Sequence, residues 1–464
     1  MHYSDITIAA IATALNNSGI SIIRVSGKDA FSIVNEIFRA PGGKTLLEFE
    51  SHTIHYGYIY DSGSYIDEVM VSVFKAPKSY TMEDTVEINC HGGIVITNKI
   101  LQIVLEHGAV LAEPGEFTKR AFLNGRIDLS KAEAVMDMIH AKNELSAKAS
   151  MTHLRGKLSE IIRSVRAEIL HDVAYLESAI DDPEHFDLSD FSDTLKDHVV
   201  SYIETVQKLY NSADNGKFIK EGINTVIVGK PNAGKSSLLN SLAGKERAIV
   251  TEIAGTTRDT IEEQILLNGI SLNVIDTAGI RSTEDLVEKI GVDKAREYAL
   301  SGDLIIYVMD ASIPLDENDK SIISLIENKK VIVLLNKSDL ETKIHAVDLK
   351  EEFPTFFENC IFISTSTKDG VGMEKLEDCI KHMFFSGDLS SNDEVYLTNM
   401  RQKQAVGDAL KSLNLVKQSL DDDMPEDFLT IDLMSAYTSL GFVIGEEVGD
   451  DLVQEIFSKF CMGK

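Results

Sequence analysis

The spacing of apolar positions over residues 1–118 is typical of short strands and short helices. Apolar segments bounded by glycine or polar residues predict strands, and amphipathic segments predict helices. Strands are predicted at 19–27, 69–74 and 85–89, and helices at 29–38 and 94–107. Strands and helices mixed on this scale indicate a small N-terminal domain of the α/β or α+β class.

The pattern changes from about residue 130, where apolar residues recur every three or four positions. One such series comprises Leu154, Leu158, Ile161, Val165, Ile169, Val173, Leu176 and Ile180. This period predicts one long packed helix. Acidic residues at 181–184 end it, a second helix begins with 191–209, and helical text resumes over 399–460 with few breaks.

Between these helical regions the sequence predicts four strands, two of which (225–228 and 331–335) are apolar runs that indicate buried strands. They occupy 225–228, 272–275, 331–335 and 360–363. Helix-predicting sequence on both sides of a compact α/β unit indicates that this unit is inserted into a helical domain. Such an insertion is sterically easy because domain termini lie close together. The predicted fold is multidomain, α/β and α, with an α+β domain at 1–118, a helical domain at 119–220 and 386–464, and an inserted P-loop α/β domain at 221–385.

Composition bounds the compartment. The 464 residues are enough for about three domains. Four cysteines, Cys90, Cys360, Cys379 and Cys461, lack C-x-x-C spacing, which favours thiols in a reducing compartment over a metal site. The first residues lack a basic and then apolar leader, and no uninterrupted apolar run reaches 18 residues. We therefore expect a cytoplasmic protein without a membrane span.

Charge gives a global and a local expectation. With 45 basic and 74 acidic residues the formal net charge is −29, which argues against nucleic-acid binding by the chain as a whole. Residues 119–166 nevertheless hold ten Lys or Arg against five carboxylates. Either this stretch is an ordinary solvated helix face, or it forms a basic stripe that holds a polyanion.

Residues 229–236, G-K-P-N-A-G-K-S, match the phosphate-binding pattern G-x-x-x-x-G-K-[ST]. They follow a buried-strand run and precede helical text, which is the context that this loop requires. Glycines let the backbone N–H groups and the helix N-terminus point at a polyphosphate. Lys235 would reach the β- and γ-phosphates, and the Ser236 hydroxyl would ligate Mg²⁺. The chain is therefore expected to bind a nucleoside triphosphate.

The base is predicted from residues 336–339, N-K-S-D, which follow a second buried-strand run. A carboxylate at Asp339 accepts from N1–H and the exocyclic amine of guanine, two donors that adenine does not present together. Leaving one of those buried groups unpaired costs roughly 1–3 kcal/mol. About a hundred residues after a phosphate loop, this tetrapeptide indicates guanine, and 364–366 is the expected loop closing on the base.

Metal and switch elements lie between these motifs. Asp276, at the end of a strand, would hold Mg²⁺ through water, and the Gly279 N–H would meet the γ-phosphate. Residues 255–259 offer a threonine hydroxyl, assigned to Thr257, as a second Mg²⁺ ligand. Ile280 stands where many GTPases have a water-orienting glutamine, so that group must come from elsewhere; the acidic residues of 281–288 are candidates.

The flanking motifs resemble one family. They are C-H-G-G at 90–93, P-G-E-F-T-K-R-A-F-L-N-G-R at 114–126 and F-C-M-G-K at 460–464, where the family usually has Ile in place of Met462. With the nucleotide motifs, they make the chain similar from end to end to the bacterial and organellar tRNA modification GTPases of the MnmE (TrmE) family. GTPases of ribosome assembly share P-N-A-G-K-S-S-L-L-N but lack these flanks.

The resemblance implies an N-terminal folate-binding and dimerising domain, a helical domain and an inserted G domain. It implies modification at carbon 5 of the wobble uridine of certain tRNAs. A homodimer acts there in a heterotetramer with the flavoprotein MnmG (GidA). A 5,10-methylene- or 5-formyl-tetrahydrofolate supplies the one-carbon unit. Family positions place Arg24, Glu87, Arg126 and Lys464 at the folate.

The resemblance also assigns nucleotide and ion contacts. Asn232, Thr251, Ile253 and Thr256 match a K⁺ site, and Glu288 matches the water-positioning glutamate. Cys461 is a candidate catalytic thiol. The remaining predicted nucleotide contacts are Ala233, Gly234, Ser237, Glu252, Ala254, Gly255, Thr277, Ala278, Asn336 and Lys337.

Two other functions are weighed against this one. A regulatory GTPase of ribosome assembly would be favoured by a KH-like module with a G-x-x-G clamp after the G domain. The sequence after 386 has none. A stand-alone folate module at 1–118 with a regulatory G domain would be favoured by folate binding without tRNA-dependent chemistry.

Overall fold

The computed structural model describes residues 6–182, 188–243, 262–267, 269–275, 302–326, 329–357, 360–385, 395–461 and 463. The chain packs as two compact units. The first comprises 1–136, 153–199 and 411–464, and the second comprises 137–152 and 200–410. The α+β, helical and P-loop α/β parts predicted from sequence are present, and the exact boundaries at 118, 220 and 385 stay a prediction.

The element bounds follow the apolar pattern. The strands are β1 Ile8–Ile11, β2 Ile20–Ser26, β3 Phe38–Arg39, β4 Thr53–Asp61, β5 Ser64–Phe74, β6 Thr85–His91, β7 Val110–Leu111, β8 Ile223–Val228, β9 Glu262–Leu267, β10 Ile270–Ile275, β11 Leu304–Asp310, β12 Val331–Asn336 and β13 Ile361–Ser364. The helices are α1 Ala30–Ile37, α2 Ile94–Glu106, α3 Glu116–Leu123, α4 Leu129–Ile139, α5 Glu144–Leu154, α6 Lys157–Asp181, α7 Leu188–Glu221, α8 Lys235–Ala243, α9 Glu317–Leu325, α10 Ala346–Glu352, α11 Pro354–Phe357, α12 Met373–Phe384, α13 Met400–Asp421, α14 Glu426–Ile444 and α15 Asp450–Ser458.

The first unit contains a seven-stranded sheet in the order β3-β4-β5-β6-β2-β1-β7. Its pairs are antiparallel except for β1 and β7. Helices α1 and α2 cover one face, where alternate residues such as Val71, Val86 and Ile88 are fully buried. All strands and helices predicted over 19–107 are confirmed. The register pairs Arg24 of β2 directly with Glu87 of β6.

The predicted long helix is interrupted at its start. The apolar series begins at Leu154, but that residue ends α5 and the long helix begins at Lys157. Gly156 separates them with φ 87°, a left-handed conformation that breaks helical hydrogen bonding and that glycine adopts without strain. The apolar periodicity alone therefore predicted one helix across a position where Gly156 ends it. The helical region predicted over 399–460 with few breaks is confirmed, and it comprises three helices.

The second unit contains a six-stranded sheet in the order β13-β12-β11-β8-β10-β9, parallel except for β9. Both faces are buried. Helices α8 and α12 contribute to one core, and α9, α10 and α11 contribute to the other. This arrangement brings the carboxyl ends of β8, β11 and β12 to one edge, where ligands bind in open α/β sheets.

The basic stretch at 119–166 is not a continuous surface stripe. Lys119, Arg120 and Arg166 are buried. Arg120 pairs with Glu83 at 3.1 Å and with Glu116 at 2.8 Å. Since three of the ten charges lie inside the protein, this stretch does not form a single polyanion-binding face.

One described helix, α14, is long and apolar enough to cross a bilayer by length and composition alone. It packs against α6 inside the first unit. Its buried residues Leu429, Leu433, Ala436 and Leu440 recur with helical spacing, as in a core helix. The absence of a membrane span stays a prediction.

Candidate nucleotide-binding site and a second polar cluster

The phosphate loop joins the end of β8 to the start of α8, as predicted. Two of its positions require glycine, both because the backbone is left-handed there and because neighbouring atoms leave no room for a side chain. Gly229 has φ 153° and Gly234 has φ 106°. A Cβ added at Gly229 would lie 2.3 Å from the Val308 carbonyl oxygen, and one at Gly234 would lie 2.1 Å from Asn336 Nδ2. No other residue type fits either position without displacing its neighbours.

The ammonium group of Lys235, at the start of α8, contacts the first turn of this loop. Its Nζ donates to the carbonyl oxygens of Gly229 at 2.7 Å and Lys230 at 2.8 Å. Ser236 and Ser237, the next residues of α8, are exposed. An ammonium group, free hydroxyls and a helix N-terminus at one place attract an anion, and phosphate oxygens would compete with the two carbonyls for Lys235.

Asn336 ties the phosphate loop to the base-reading loops. It is 1% exposed, and its Nδ2 donates to the Ala233 carbonyl at 2.8 Å. Its Oδ1 accepts from the Thr367 N–H at 3.1 Å and the Thr365 hydroxyl at 3.3 Å. One buried amide therefore fixes three loops at the carboxyl edge of the sheet.

Asp339 and Lys337 stand at the outer side of this junction. The Ser366 hydroxyl lies 3.1 Å from Asp339 Oδ1, within the loop 364–366 predicted to close on the base. Asp339 is exposed, so its carboxylate is accessible to ligand donors. Lys337 has φ 63° and its Nζ lies 2.6 Å from Asp310 Oδ2. Burial alone would raise the pKa of Asp310, but hydrogen bonds from Lys337 and Ser312 outweigh it, and the pKa is lowered.

Sequence reasoning missed several residues that shape this site. Lys230 lies within the phosphate motif at an unspecified position, yet its side chain is buried against Asp316 and Asp319. Asp310 and Thr367 were missed because they lie outside every motif. Asp310 at the end of β11 had one detectable signal, a polar residue at the carboxyl end of a buried strand.

The remaining predicted contacts lie outside the described residues. They are Thr251, Glu252, Ile253, Ala254, Gly255, Thr256, Thr257, Asp276, Thr277, Ala278, Gly279, Glu288 and Lys464. Asn232 is described: it is exposed at the turn of the phosphate loop with φ 60°. Among described residues, no group of three His, Cys, Asp or Glu side chains is arranged to hold a metal ion.

A second polar cluster lies in the first unit and includes three of the four predicted folate residues. Arg24 Nε and Nη2 each lie 2.8 Å from Glu87 Oε1, and both side chains are less than a quarter exposed. The Arg24 guanidinium lies 5.5 Å from the ring centroids of Tyr80 and Phe117. Arg126 covers the same Tyr80 ring at 4.8 Å and donates to the Tyr80 carbonyl at 3.2 Å.

The C-terminal residues reach this cluster. Arg24 Nη1 donates to the Gly463 carbonyl at 3.4 Å, and the Gly115 N–H donates to the Cys461 carbonyl at 3.2 Å. Gly463 has φ 82°, and a Cβ there would lie 2.1 Å from the Ile11 carbonyl oxygen. The cluster thus joins residues 24, 80, 87, 126 and 463. No local motif contains Tyr80, so sequence reasoning missed it.

The cysteines differ in exposure. Cys461 is exposed, Cys90 is buried, and Cys360 and Cys379 are half-buried. Burial raises the pKa of the Cys90 and Cys379 thiols and raises the pKa of Cys360 to about 11. The thiolate is the nucleophilic form. Among the four, only Cys461 is exposed, and it lies two residues before Gly463, whose carbonyl accepts from Arg24.

Together, the parallel sheet, the glycine-constrained phosphate loop and the N-K-S-D loop at one edge define a P-loop GTPase. Two family models match the chain: "GTP-binding protein TrmE N-terminus" over residues 7–126 and "MnmE helical domain" over 129–461. The chain belongs to the MnmE family of tRNA modification GTPases.

Two relatives are similar to this chain over nearly their full length. The chain is 57% identical to the tRNA modification GTPase MnmE of Lachnoclostridium phytofermentans, covering 99% of each chain. It is 47% identical to that of Acetivibrio thermocellus, covering 100% of each. Among solved structures, Aquifex aeolicus Era bound to GDP and AlF4− matches 42% of this chain and 67% of its own at 28% identity and a TM-score of 0.28, too low to add to the argument.

Proposed function

We propose that the protein hydrolyses GTP as a component of the system that modifies carbon 5 of the wobble uridine of tRNA. The observation that carries the nucleotide part is the Asn336 side chain, which joins the phosphate loop to the base-reading loop at 2.8 Å. The tRNA part rests on the family. The ribosome-assembly function remains the alternative from another class.

The experiment has two readouts. Phosphate release from GTP by the purified chain tests hydrolysis, and ATP is the control substrate. Mass spectrometry of wobble uridines in a strain that lacks the protein, with and without the restored gene, tests modification. The proposal is supported if wobble uridines lack the modification in the deletion strain and regain it when the gene is restored. Normal uridines together with a ribosome-subunit defect would favour the alternative.

The nucleotide would be held by groups from several loops. Lys235 would bind the β- and γ-phosphates, Ser236 and Thr257 would ligate Mg²⁺, and Asp276 would act through water. The position of Ser236 fits, since its exposed hydroxyl follows the Lys235 charge at the start of α8. Mg²⁺ would neutralise charge that develops on the phosphates during hydrolysis.

We assign a K⁺ site to Asn232 together with Thr251, Ile253 and Thr256. The exposed amide of Asn232 at the turn of the phosphate loop is consistent with an oxygen ligand for a cation. Hydrolysis should be faster in K⁺ than in Na⁺, and Asn232→Ala should remove the difference. Equal wild-type rates in the two salts would remove K⁺ from the proposal.

Glu288 is assigned the task of orienting the attacking water, a task that Ile280 cannot perform. Glu288→Ala should lower kcat by about 10²–10⁴-fold while GTP affinity stays nearly unchanged, because water orientation matters only toward the transition state. Glu284→Ala is the matched control and should retain kcat. Loss of affinity in step with kcat would indicate a structural role for Glu288 instead.

We further propose that the Arg24 cluster binds a 5,10-methylene- or 5-formyl-tetrahydrofolate. Two guanidinium groups fit carboxylates through charge-assisted bonds, and both lie within 5.5 Å of the centroid of the aromatic Tyr80 ring. Glu87 would accept from ring N–H groups, and Lys464 would add a cation. The folate would supply the one-carbon unit. Cys461, which is exposed and two residues from Gly463 in the sequence, is the assigned thiol for that chemistry.

A second copy of the chain is the expected partner of the open sheet face in the first unit. Ile20, Ile54, Tyr56 and Met70 on that face are 42–63% exposed. Such an apolar patch on β2, β4 and β5 favours a protein interface. Met70→Glu should shift the chain toward the monomer in light scattering. We expect the dimer to act with the flavoprotein MnmG (GidA) on tRNA, in the cytoplasm.

A further inference from the structure

Lys230, the second residue of the phosphate loop, has a buried charge. The residue is 9% exposed, and its Nζ lies 2.6 Å from Asp319 Oδ2 and 3.1 Å from Asp316 Oδ2. Burial opposes the charge, but these two hydrogen bonds outweigh it, and the pKa of Lys230 is raised. The phosphate-loop pattern places no requirement on this position, so backbone shape alone does not explain a lysine here.

The Asp319 carboxylate, which pairs with Lys230, is held rigidly. Asp319 is 1% exposed, and its Oδ1 accepts from the Tyr307 hydroxyl at 2.9 Å. Its Oδ2 accepts from the Asp316 N–H at 3.1 Å, within the capping box that begins α9. Tyr307 lies in the middle of β11 and is fully buried. Asp319 is thus fixed to both a helix and the central sheet, and it anchors whatever it binds.

The same lysine contributes to the shape of the loop through its backbone. The Lys230 and Gly229 carbonyls are the two acceptors of Lys235 Nζ. Movement of the first turn would therefore displace the acceptors of Lys235 and would also break an ion pair in a medium of low dielectric constant. Breaking a buried pair is costly because it leaves an uncompensated charge.

We propose that Lys230 is a positioning residue, which fixes the first turn of the phosphate loop to Asp319 and thereby sets the geometry that receives the β-phosphate. The inference rests on the proposed nucleotide-binding function and adds a residue to it. Phosphate-loop geometry matters for a ligand that has a β-phosphate, and it matters much less for the base. The GDP-to-GMP affinity ratio therefore separates this role from general stabilisation.

The test measures GDP and GMP affinities of the full chain by competition with a fluorescent GDP analogue. Lys230→Met should weaken GDP binding by at least about tenfold, equivalent to the loss of one charge-assisted contact, with a much smaller change for GMP. Lys230→Arg keeps the charge and should restore most of the ratio. Lys320→Met is the matched control. Lys320 follows Asp319 on α9 and pairs with Glu317 at 3.1 Å, but its side chain is 45% exposed.

Further variants guard against misfolding. Asp316→Asn neutralises the outer carboxylate, whose side chain is 49% exposed, and should lower the ratio even if Lys230→Met does not fold. In an Asp319→Asn background, Lys230→Met should cost little more, since contacting residues act non-additively. Parallel loss of GDP and GMP, or an unchanged ratio in a folded variant, would overturn the proposal. A wild-type chain that binds no GDP would instead overturn the proposed function.

Discussion

The nucleotide site and the Arg24 cluster assemble binding groups in different ways. The phosphate loop is a contiguous segment whose shape follows from its own glycines, and one buried amide, Asn336, ties it to the base-reading loop. The Arg24 cluster draws on residues 24, 80, 87, 126 and 463, and no two of them share a local motif. A contiguous site is sensitive to backbone changes, whereas an assembled site is sensitive to the loss of individual side-chain contacts.

The largest expected effect tests the backbone half of this comparison. Gly234→Ala would place a Cβ 2.1 Å from Asn336 Nδ2 at φ 106°. Strain of about 1–3 kcal/mol adds to the displacement of a buried amide, so GTP affinity should fall by more than about a hundredfold. Titration calorimetry with GTP measures it. Folate binding in the first unit should stay unchanged.

The control for backbone strain is Gly269→Ala. Gly269 has φ 82° in the turn between β9 and β10, and among described residues its added Cβ would meet only Leu145, at an ordinary 3.5 Å. This variant should bind GTP within about threefold of wild type, because strain far from the loop changes stability and not loop shape. A GTP affinity for Gly234→Ala similar to that of Gly269→Ala would show that contact with Asn336 does not shape the site.

Asp339→Asn tests base reading in the same site. The substitution presents a donor where the guanine N1–H requires an acceptor, and a buried mismatch of this kind costs about 1–3 kcal/mol. GTP affinity should fall by about ten- to a hundredfold. Xanthosine triphosphate, whose 2-oxo group is an acceptor, should gain. Retained preference for GTP over xanthosine triphosphate would refute the assignment of Asp339.

These two sites show why sequence reasoning succeeded unevenly. The positions of Gly229, Gly234 and Asp339 in the fold could be predicted because their requirements are local: a backbone conformation, or a carboxylate at a strand end. Lys230 escaped because its partner lies 89 residues away. Tyr80 escaped because a tyrosine between two strands carries no signal for the arginines that cover it, and Arg24 was assigned only through the family. The break at Gly156 shows that apolar period does not report backbone conformation.

The assembled site is tested by Arg24→Gln. Removal of one charge-assisted bond to a folate carboxylate should weaken 5-formyl-tetrahydrofolate binding by about tenfold or more in calorimetry. GTP affinity should remain unchanged, in contrast to Gly234→Ala. Lys99→Gln is a matched control in the same unit, since Lys99 pairs with Asp61 at 3.1 Å and is 39% exposed. If both lysine and arginine variants bind folate like wild type, the Arg24–Glu87 pair is only structural.

The smallest expected effect concerns protonation in the first unit. His91 Nδ1 lies 2.7 Å from Asp67 Oδ1, and this hydrogen bond, with the charges of Asp67 and Glu68, raises the pKa of His91 above its ordinary 6.5. A raised pKa in the folded state stabilises the fold fully below the unfolded value, and that contribution is lost as pH rises through the folded value. NMR titration should show the raised pKa, and Asp67→Asn should bring it back toward 6.5. Because His91 lies in the first unit, GDP affinity should not follow this titration. An unchanged His91 pKa in Asp67→Asn would contradict the assignment.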